Sequence, residues 1–192
     1  HSLRRRQRQM CIRDSNNIIK NNIAEGNGGG ILISTASGGP YTLTIVNNTI
    51  SGNSAGKNGG GISVQERVVA NIIGNTISGN SAGNLGGGIY IEGSSWWGDR
   101  PWITVSNNII SGNSAGNLGG GIYFNEYINT ATVTNNTIIG NTALNAPAVY
   151  YFGNQEFNYN NIIGNKAEDS TTTNTVYILG HPTFNFNNIF NN

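Results

Sequence analysis

Four glutamates recur at similar positions along the chain, and carboxylates so placed can do acid–base or metal chemistry. They follow recurring asparagines by 17 to 20 residues and are Glu66, Glu92, Glu126 and Glu156. If the repeated segments stack, the four acids lie close together, and like charges repel unless they are hydrated, paired or bound to a cation. The spacing leaves three alternatives open: a Ca²⁺ site, a pair of catalytic carboxylates, or a hydrated edge with one acid per repeat.

The longest insertion between repeats, residues 92–102, holds all three tryptophans in the sequence EGSSWWGDRPW. Indole faces suit stacking on sugar rings, and a neighbouring carboxylate and guanidinium can hydrogen-bond to sugar hydroxyls. The candidate binding residues are Trp96, Trp97, Asp99, Arg100 and Trp102. The alternative is a loop that folds its own aromatic side chains over the adjacent wall, with a surface ion pair that contributes little.

Other signs of catalysis are few. Only Arg67 and Arg100 accompany the acidic positions as bases for a lyase reaction, and His181 has no carboxylate near it in sequence. The glycine triplets lack the spacing of a phosphate-binding loop. A cluster of six aromatic residues between positions 123 and 152 fits alternating strand residues, some facing inward, better than a ligand groove. We therefore assign no catalytic residue.

A repeated element must position these candidates, and asparagine marks it. Seven anchor asparagines lie 24 to 33 residues apart: Asn17, Asn48, Asn75, Asn108, Asn136, Asn160 and Asn187. Ile stands two residues after each anchor, a second Asn five residues after it and, where the chain extends that far, Ala seven residues after it. Offsets of two place side chains on one face of a strand, whereas offsets of three between segments indicate a corner.

A repeat of about 28 residues with three or so short strands cannot form a core alone. It can do so if each copy forms one turn of a coil and pairs with the next copy, about 4.8 Å away, in parallel sheets. The isoleucines then form an interior ladder of Ile50, Ile77, Ile110, Ile138 and Ile162. The second asparagines form a corner ladder of Asn22, Asn53, Asn80, Asn113, Asn141 and Asn165. The sequence predicts an all-β solenoid, a parallel β-helix of about seven turns.

Composition agrees with this fold and excludes others. Gly and Asn supply 62 of the 192 residues, and only 10% are charged. The excess of β-branched over helix-forming residues argues against a helical protein. No stretch approaches the run of about 20 apolar residues that a membrane helix needs, so we expect no transmembrane helix.

Residues 1–15 differ from everything that follows. They hold five of the ten basic residues, the only Cys and the only Met, and the string RRQRQMCIRDS resembles a translated sequencing adapter. We therefore expect an artefactual or disordered arm, which is left out of reasoning about the fold. Residues 16–192 alone carry a net charge of about −3, so we expect no nucleic-acid partner.

The apolar-x-x-Asn element is literally Phe-x-x-Asn at residues 157–160 and 184–187. Together with Gly-Gly-Gly-Ile, it resembles the repeats of bacterial polymorphic outer-membrane proteins. More broadly, residues 16–192 look like the right-handed parallel β-helix superfamily that includes pectate lyases, the pectin-lyase-like superfamily. This resemblance implies a right-handed coil. In such families the β-helix serves as a secreted or surface-exposed adhesive stalk, or as a polysaccharide-processing enzyme.

We therefore expect a structural or binding domain of a secreted or cell-surface bacterial protein, an adhesin-like passenger or stalk at the outer membrane or outside the cell. Its expected partners are a polysaccharide or host-surface glycan and, because Asn192 falls inside the repeat, the rest of a longer polypeptide. The alternative is a polysaccharide lyase or glycoside hydrolase that uses the glutamates. No cofactor is expected beyond the Ca²⁺ alternative.

Overall fold

A computed structural model describes residues 12–35, 41–66, 68–93, 102–125, 127–128, 130–153, 156–169 and 174–192. These ranges contain 26 short strands and no helix. Accordingly, no helix that could cross a membrane occurs in the described part of the chain. The all-β prediction is confirmed.

Each turn of the coil contributes four strands. The first two turns contain β1 (Ile12–Ser15), β2 (Ile18–Lys20), β3 (Ile23–Ala24), β4 (Ile31–Ile33), β5 (Tyr41–Val46), β6 (Thr49–Ser51), β7 (Ser54–Ala55) and β8 (Ile62–Val64). The third and fourth contain β9 (Val68–Ile73), β10 (Thr76–Ser78), β11 (Ser81–Ala82), β12 (Ile89–Ile91), β13 (Trp102–Ser106), β14 (Ile109–Ser111), β15 (Ser114–Leu118) and β16 (Ile122–Phe124). The remainder are β17 (Thr130–Thr134), β18 (Thr137–Ile139), β19 (Thr142–Asn145), β20 (Val149–Phe152), β21 (Glu156–Asn158), β22 (Asn161–Ile163), β23 (Lys166–Ala167), β24 (Val176–Leu179), β25 (Thr183–Asn185) and β26 (Asn188–Phe190).

Equivalent strands of successive turns pair in parallel and form four sheets, which we name A to D in the order in which each turn visits them. Sheets A and B have seven strands, and sheets C and D have six. The coil therefore has six complete turns and the first two strands of a seventh, close to the predicted seven. The sequence predicted three or so strands per turn, whereas the structure has four.

Strand β1 lies inside the segment that the sequence analysis set apart as an arm. Its residues Ile12–Ser15 pair in parallel with Leu43–Val46 of β5. Residues 1–11 lie outside the described part of the chain. The division of the chain at residue 15 stays a prediction.

Alternation along the strands fills the interior. In β9, for example, buried and half-buried residues alternate strictly, so that Val68, Ala70 and Ile72 face inward. The predicted isoleucine ladder runs through sheet B, where Ile77 pairs with Ile50 and Ile110, and all five members are fully buried. Burial of each such side chain contributes about 1.5–3 kcal/mol.

Two corners of every turn need a left-handed backbone. At the corner between sheets A and B, the residue before each anchor has a positive φ: Asn16, Asn47, Gly74, Asn107, Asn135, Tyr159 and Phe186. At the corner between sheets B and C, the residue before each second Asn does so: Asn21, Gly52, Gly79, Gly112, Gly140, Gly164 and Asn191. Gly and Asn dominate because they adopt this conformation at the lowest cost.

The asparagine that follows each such corner points into the coil and bonds to the next turn. The anchor asparagines form one ladder and the second asparagines form another. In both asparagine ladders the backbone N–H of one Asn donates to Oδ1 of the Asn one turn later, at 2.8–3.0 Å. Asn113 Nδ2 also donates to Asn141 Oδ1 at 2.9 Å and to the Ile77 carbonyl of the preceding turn at 3.0 Å. Buried polar groups are thus satisfied inside an otherwise apolar core.

Glycine triplets let the turns approach closely between sheets C and D. The backbone N–H groups of Gly86, Gly87 and Gly88 donate to carbonyls of the next turn at 3.0–3.1 Å. A Cβ at Gly87 would lie against the Ser114 carbonyl oxygen and within 2.5 Å of the Gly120 oxygen. In the fifth turn Pro147 and Ala148 stand at these positions and are buried.

Candidate functional site

The connections from sheet D to sheet A, which we call the loop edge, hold the first two candidate glutamates. Glu92 follows β12, and its backbone N–H donates to the Val64 carbonyl at 2.9 Å. The Asn125 N–H donates in the same way to the Ile91 carbonyl, so Gln65, Glu92 and Asn125 stack in one column. Glu66 lies one residue beyond this column, exposed and with a φ of 66°.

Glu92 is the electrostatically perturbed group of the loop edge. Partial burial raises the pKa of its carboxyl, and the nearby negative charge of Glu66 raises it further. A hydrogen bond with Tyr90 opposes these effects by stabilising the carboxylate. Burial likewise raises the pKa of the Tyr90 hydroxyl, with the Glu92 charge as the next cause. The negative charges of Glu66 and Glu92, on neighbouring turns, therefore act on each other.

A raised pKa makes stability depend on pH. Because the folded state holds the Glu92 proton more tightly than the unfolded state does, the free energy of unfolding falls as the pH rises through the raised pKa. We expect Glu92→Gln to remove this loss, since a neutral amide still accepts from Tyr90. In urea denaturation across pH 4 to 8, the free energy of unfolding of the variant should increase relative to that of the parent as the pH rises. Identical profiles of stability against pH for parent and variant would contradict this expectation. The matched control is Glu156→Gln, because Glu156 is exposed in sheet A.

The expectation that Glu156 belongs to the same column is wrong. Glu156 begins β21 in sheet A, where it pairs with Thr132 and Thr183. The connection that precedes it is short, so the strand starts early and places the acid in an outward row of threonines. Glu156 lies four residues before the anchor Asn160, just as Thr132 lies four residues before the anchor Asn136. Counting from the following anchor therefore identifies this row directly.

The remaining sequence candidates divide between described and undescribed residues. Glu126, Trp96, Trp97, Asp99 and Arg100 lie outside the described residues. Trp102 begins β13, pairs with Thr130 and is 64% exposed. Its neighbour Ile103 is buried, so the indole faces outward from sheet A beside the loop edge.

Sequence reasoning missed a ladder of tyrosines on the outside of sheet D, which we call the tyrosine ladder: Tyr90, Tyr123, Tyr150 and Tyr177. The ring centroids of successive members lie 5.5, 5.0 and 5.2 Å apart, and the rings are within 13° of parallel. Each member is the second residue of its strand, and the residues on either side of it face inward. The available signal was this second strand position, where Tyr recurs in four successive turns and follows a glycine triplet in the first two of them.

The inward aromatic residues pack separately from the tyrosine ladder. Phe124 and Tyr151 meet edge to face at 5.0 Å inside the coil, and both are fully buried. Five of the six residues of the aromatic cluster thus lie in strands β16 and β20, whereas Tyr127 lies in a turn outside any strand. Among the described residues, the Tyr151 hydroxyl has no hydrogen-bond partner.

An unpaired buried hydroxyl destabilises the fold. We expect Tyr151→Phe to raise the free energy of unfolding by about 1 kcal/mol, because the change removes an unsatisfied polar group and leaves the ring packing intact. Chemical denaturation of parent and variant measures this. A variant less stable than the parent would show that the hydroxyl is satisfied.

Metal binding has little support in the described residues. Within those ranges no group of three or more His, Cys, Asp or Glu side chains is placed to hold a metal ion. The Ca²⁺ alternative therefore stays a prediction, carried by the glutamate spacing alone.

Comparison with known proteins shows the handedness of the coil. A family model described as a right-handed β-helix region matches residues 3–124, which end with strand β16. No curated protein and no solved structure gave a match.

Proposed function

The chain belongs to the right-handed β-helix family, and we propose that this structural repeat domain is a passenger or stalk of a secreted or cell-surface bacterial protein that binds carbohydrate along its loop edge. Two hydrogen-bonded asparagine ladders and four continuous sheets support a stiff rod. Seven rungs about 4.8 Å apart enclose six intervals and span roughly 29 Å. A rod of this kind can hold a binding surface away from its point of attachment.

Trp102 is the observation that carries the binding part of the proposal. An indole that is 64% exposed at the start of a well-paired strand offers a fixed apolar face beside polar neighbours. Tryptophan combines a large apolar surface with an N–H donor, which suits sugar rings that carry C–H faces and hydroxyls. In sequence, Trp96 and Trp97 precede it in the same connection.

A glycan array tests this binding. We expect the parent to bind, and Trp102→Ala, Trp96→Ala and Trp97→Ala each to weaken binding about tenfold or more. Tyr159→Ala is the matched control, because Tyr159 is an exposed aromatic residue at the corner between sheets A and B. Absence of any bound glycan, or equal losses in the control, would count against a carbohydrate site at the loop edge.

Location is tested separately in the source cells. If the domain is displayed outside, an antibody should detect it in the medium or on intact cells, and added protease should remove the signal. A signal confined to the cytosolic fraction and resistant to the protease would contradict the surface location.

A further inference from the structure

Asparagine is followed directly by glycine at two places in the chain, Asn27–Gly28 and Asn58–Gly59. An Asn–Gly pair is the dipeptide most prone to spontaneous deamidation, because glycine has no side chain to keep its backbone nitrogen away from the Asn side chain. Both pairs lie between sheets C and D, and in both the Asn is followed by three glycines and an isoleucine. The two asparagines are therefore matched in intrinsic reactivity, and a difference between them in the folded protein reflects the fold.

One backbone residue of the next turn holds each pair through two hydrogen bonds, which we call the clamp. The Leu85 N–H donates to Asn58 Oδ1 at 3.2 Å, and the Leu85 carbonyl accepts from the Gly59 N–H at 2.9 Å. Asn58 holds the first pair in the same way: its N–H donates to Asn27 Oδ1 at 3.1 Å, and its carbonyl accepts from the Gly28 N–H at 2.9 Å. The two groups that react in a deamidation are thus both bonded to the neighbouring turn.

Deamidation requires the clamp to open. The Gly59 nitrogen attacks Cγ of Asn58, a C–N bond forms, the Cγ–Nδ2 bond breaks, and Nδ2 leaves as ammonia with the proton that the Gly59 nitrogen gives up. Water then opens the succinimide ring at either carbonyl and leaves aspartate or isoaspartate at position 58. Ring closure removes the hydrogen that Gly59 donates to Leu85 and redirects the side-chain carbonyl. We therefore expect no reaction while turns 2 and 3 stay paired.

We propose that Asn58 is a deamidation site that the folded coil keeps closed, and that its reaction after local opening prevents turns 2 and 3 from pairing again. The glycine triplet that follows Asn58 donates three backbone hydrogen bonds to turn 3, at 2.9–3.1 Å. Isoaspartate adds one carbon atom to the backbone just before this triplet and shifts it out of register. Aspartate adds no atom, and its carboxylate still accepts from the Leu85 N–H.

Peptide mass spectrometry tests the protection of the site. The parent is aged at mildly alkaline pH in buffer and in concentrated urea, and the deamidated fraction of each asparagine is followed over time. In urea we expect Asn27 and Asn58 to react at the same rate. In buffer Asn58 should react about tenfold or more slowly than in urea, because it reacts only in molecules that have opened locally. Equal rates in buffer and urea, or no reaction of Asn58 in urea, would overturn the proposal.

Two glycine variants test whether pairing of the turns protects the sites. A Cβ at Gly60 would collide with carbonyl oxygens of turn 3, and a Cβ at Gly29 with carbonyl oxygens of turn 2. In buffer, Gly60→Ala should therefore accelerate deamidation of Asn58 about threefold or more relative to that of Asn27, and Gly29→Ala should do the reverse. Circular dichroism establishes that each variant is folded. Equal effects at both sites in folded variants would refute the clamp, and if a variant does not fold, the comparison of the parent in buffer and in urea decides.

A separation experiment tests the block on closure. The parent is aged in dilute urea, where turns open and close repeatedly, and size-exclusion chromatography then separates folded from unfolded molecules. Isoaspartate at position 58 should be about tenfold or more enriched in the unfolded molecules, whereas aspartate should occur in both pools. The control is Asn58→Leu, which has the residue that turn 3 carries at this position, Leu85, and should leave fewer unfolded molecules after the same treatment. Equal isoaspartate in both pools would show that deamidation does not block closure.

Discussion

Replacing Asn113 by Leu should lower the free energy of unfolding by about 4 kcal/mol or more. The Asn113 side chain, which is fully buried, accepts from the backbone N–H and Nδ2 of Asn80, each at 2.9 Å. It also donates to the Ile77 carbonyl and to Asn141 Oδ1. Leu offers none of these partners and leaves several buried groups unpaired, at about 1–3 kcal/mol each. Chemical denaturation measures the loss.

Two further variants show that hydrogen bonding is the cause. Asn113→Asp keeps the shape of the side chain but places a carboxylate against the two acceptors, the Ile77 carbonyl and Asn141 Oδ1. Its loss of stability should therefore be smaller at acidic pH, where a protonated acid can still donate. The Leu variant should show no such relief. Asn117→Asp, an exposed site in the same turn, should change stability by less than about 0.5 kcal/mol. Equal losses at residues 113 and 117 would refute the role of the ladder.

Gly87→Ala should also destabilise the protein strongly, by about 3 kcal/mol or more, although it adds a single methyl group. The new Cβ would collide with the backbone carbonyls of Ser114 and Gly120 in the next turn. Hydrogen bonds fix the separation of the turns, so relief of the clash must break the bonds of the glycine triplet. Hydrogen exchange should show faster exchange on both sides of this junction, because solenoid turns are coupled mainly to their neighbours.

Two glycines provide graded controls for this effect. Gly26→Ala meets no atom within 4 Å and needs no positive φ, so it should be nearly neutral. Gly112→Ala has the same free space but a φ of 58°, so it should cost about 1–2 kcal/mol for backbone conformation alone. If Gly87→Ala costs no more than Gly112→Ala, close approach of the turns does not explain the triplet.

The interior was predictable from sequence because each of its positions accepts one residue type. A buried polar corner that must donate and accept at once suits Asn, and a tightly packed position such as that of Ile110 suits one aliphatic shape. Both types therefore recur at fixed offsets. The left-handed corners escaped detection because Asn47, Gly74 and Tyr159 share a backbone conformation but not a residue type. The strand that the sequence analysis did not count lies in sheet C, where strands have only two to five residues, and it was hidden in the Ser-Ala segments.

The candidate site was less predictable because it lies outside the coil, where several residue types fit. Glu156 follows its preceding anchor by 20 residues, close to the 17 or 18 of the other acids, yet the shorter connection moves it into sheet A. Tyr123 and Tyr150 recur with a clear period, but only the structure shows that they face outward, whereas Tyr151 faces inward. Periodicity shows that side chains form a row. Whether that row faces into the coil or outward depends on the strand register.

The asparagine ladders give the coil a dipole along its axis. Between the two ends of the coil, the Oδ1 of each ladder Asn faces donors of the preceding turn and its Nδ2 donates one hydrogen to the following turn, as Asn80, Asn113 and Asn141 illustrate. The amide dipoles therefore add along the axis in two parallel columns, much as peptide dipoles add in a helix. Each amide that donates becomes a better acceptor, so the bonds strengthen one another along the columns. The rungs at the middle of the coil are consequently held most tightly.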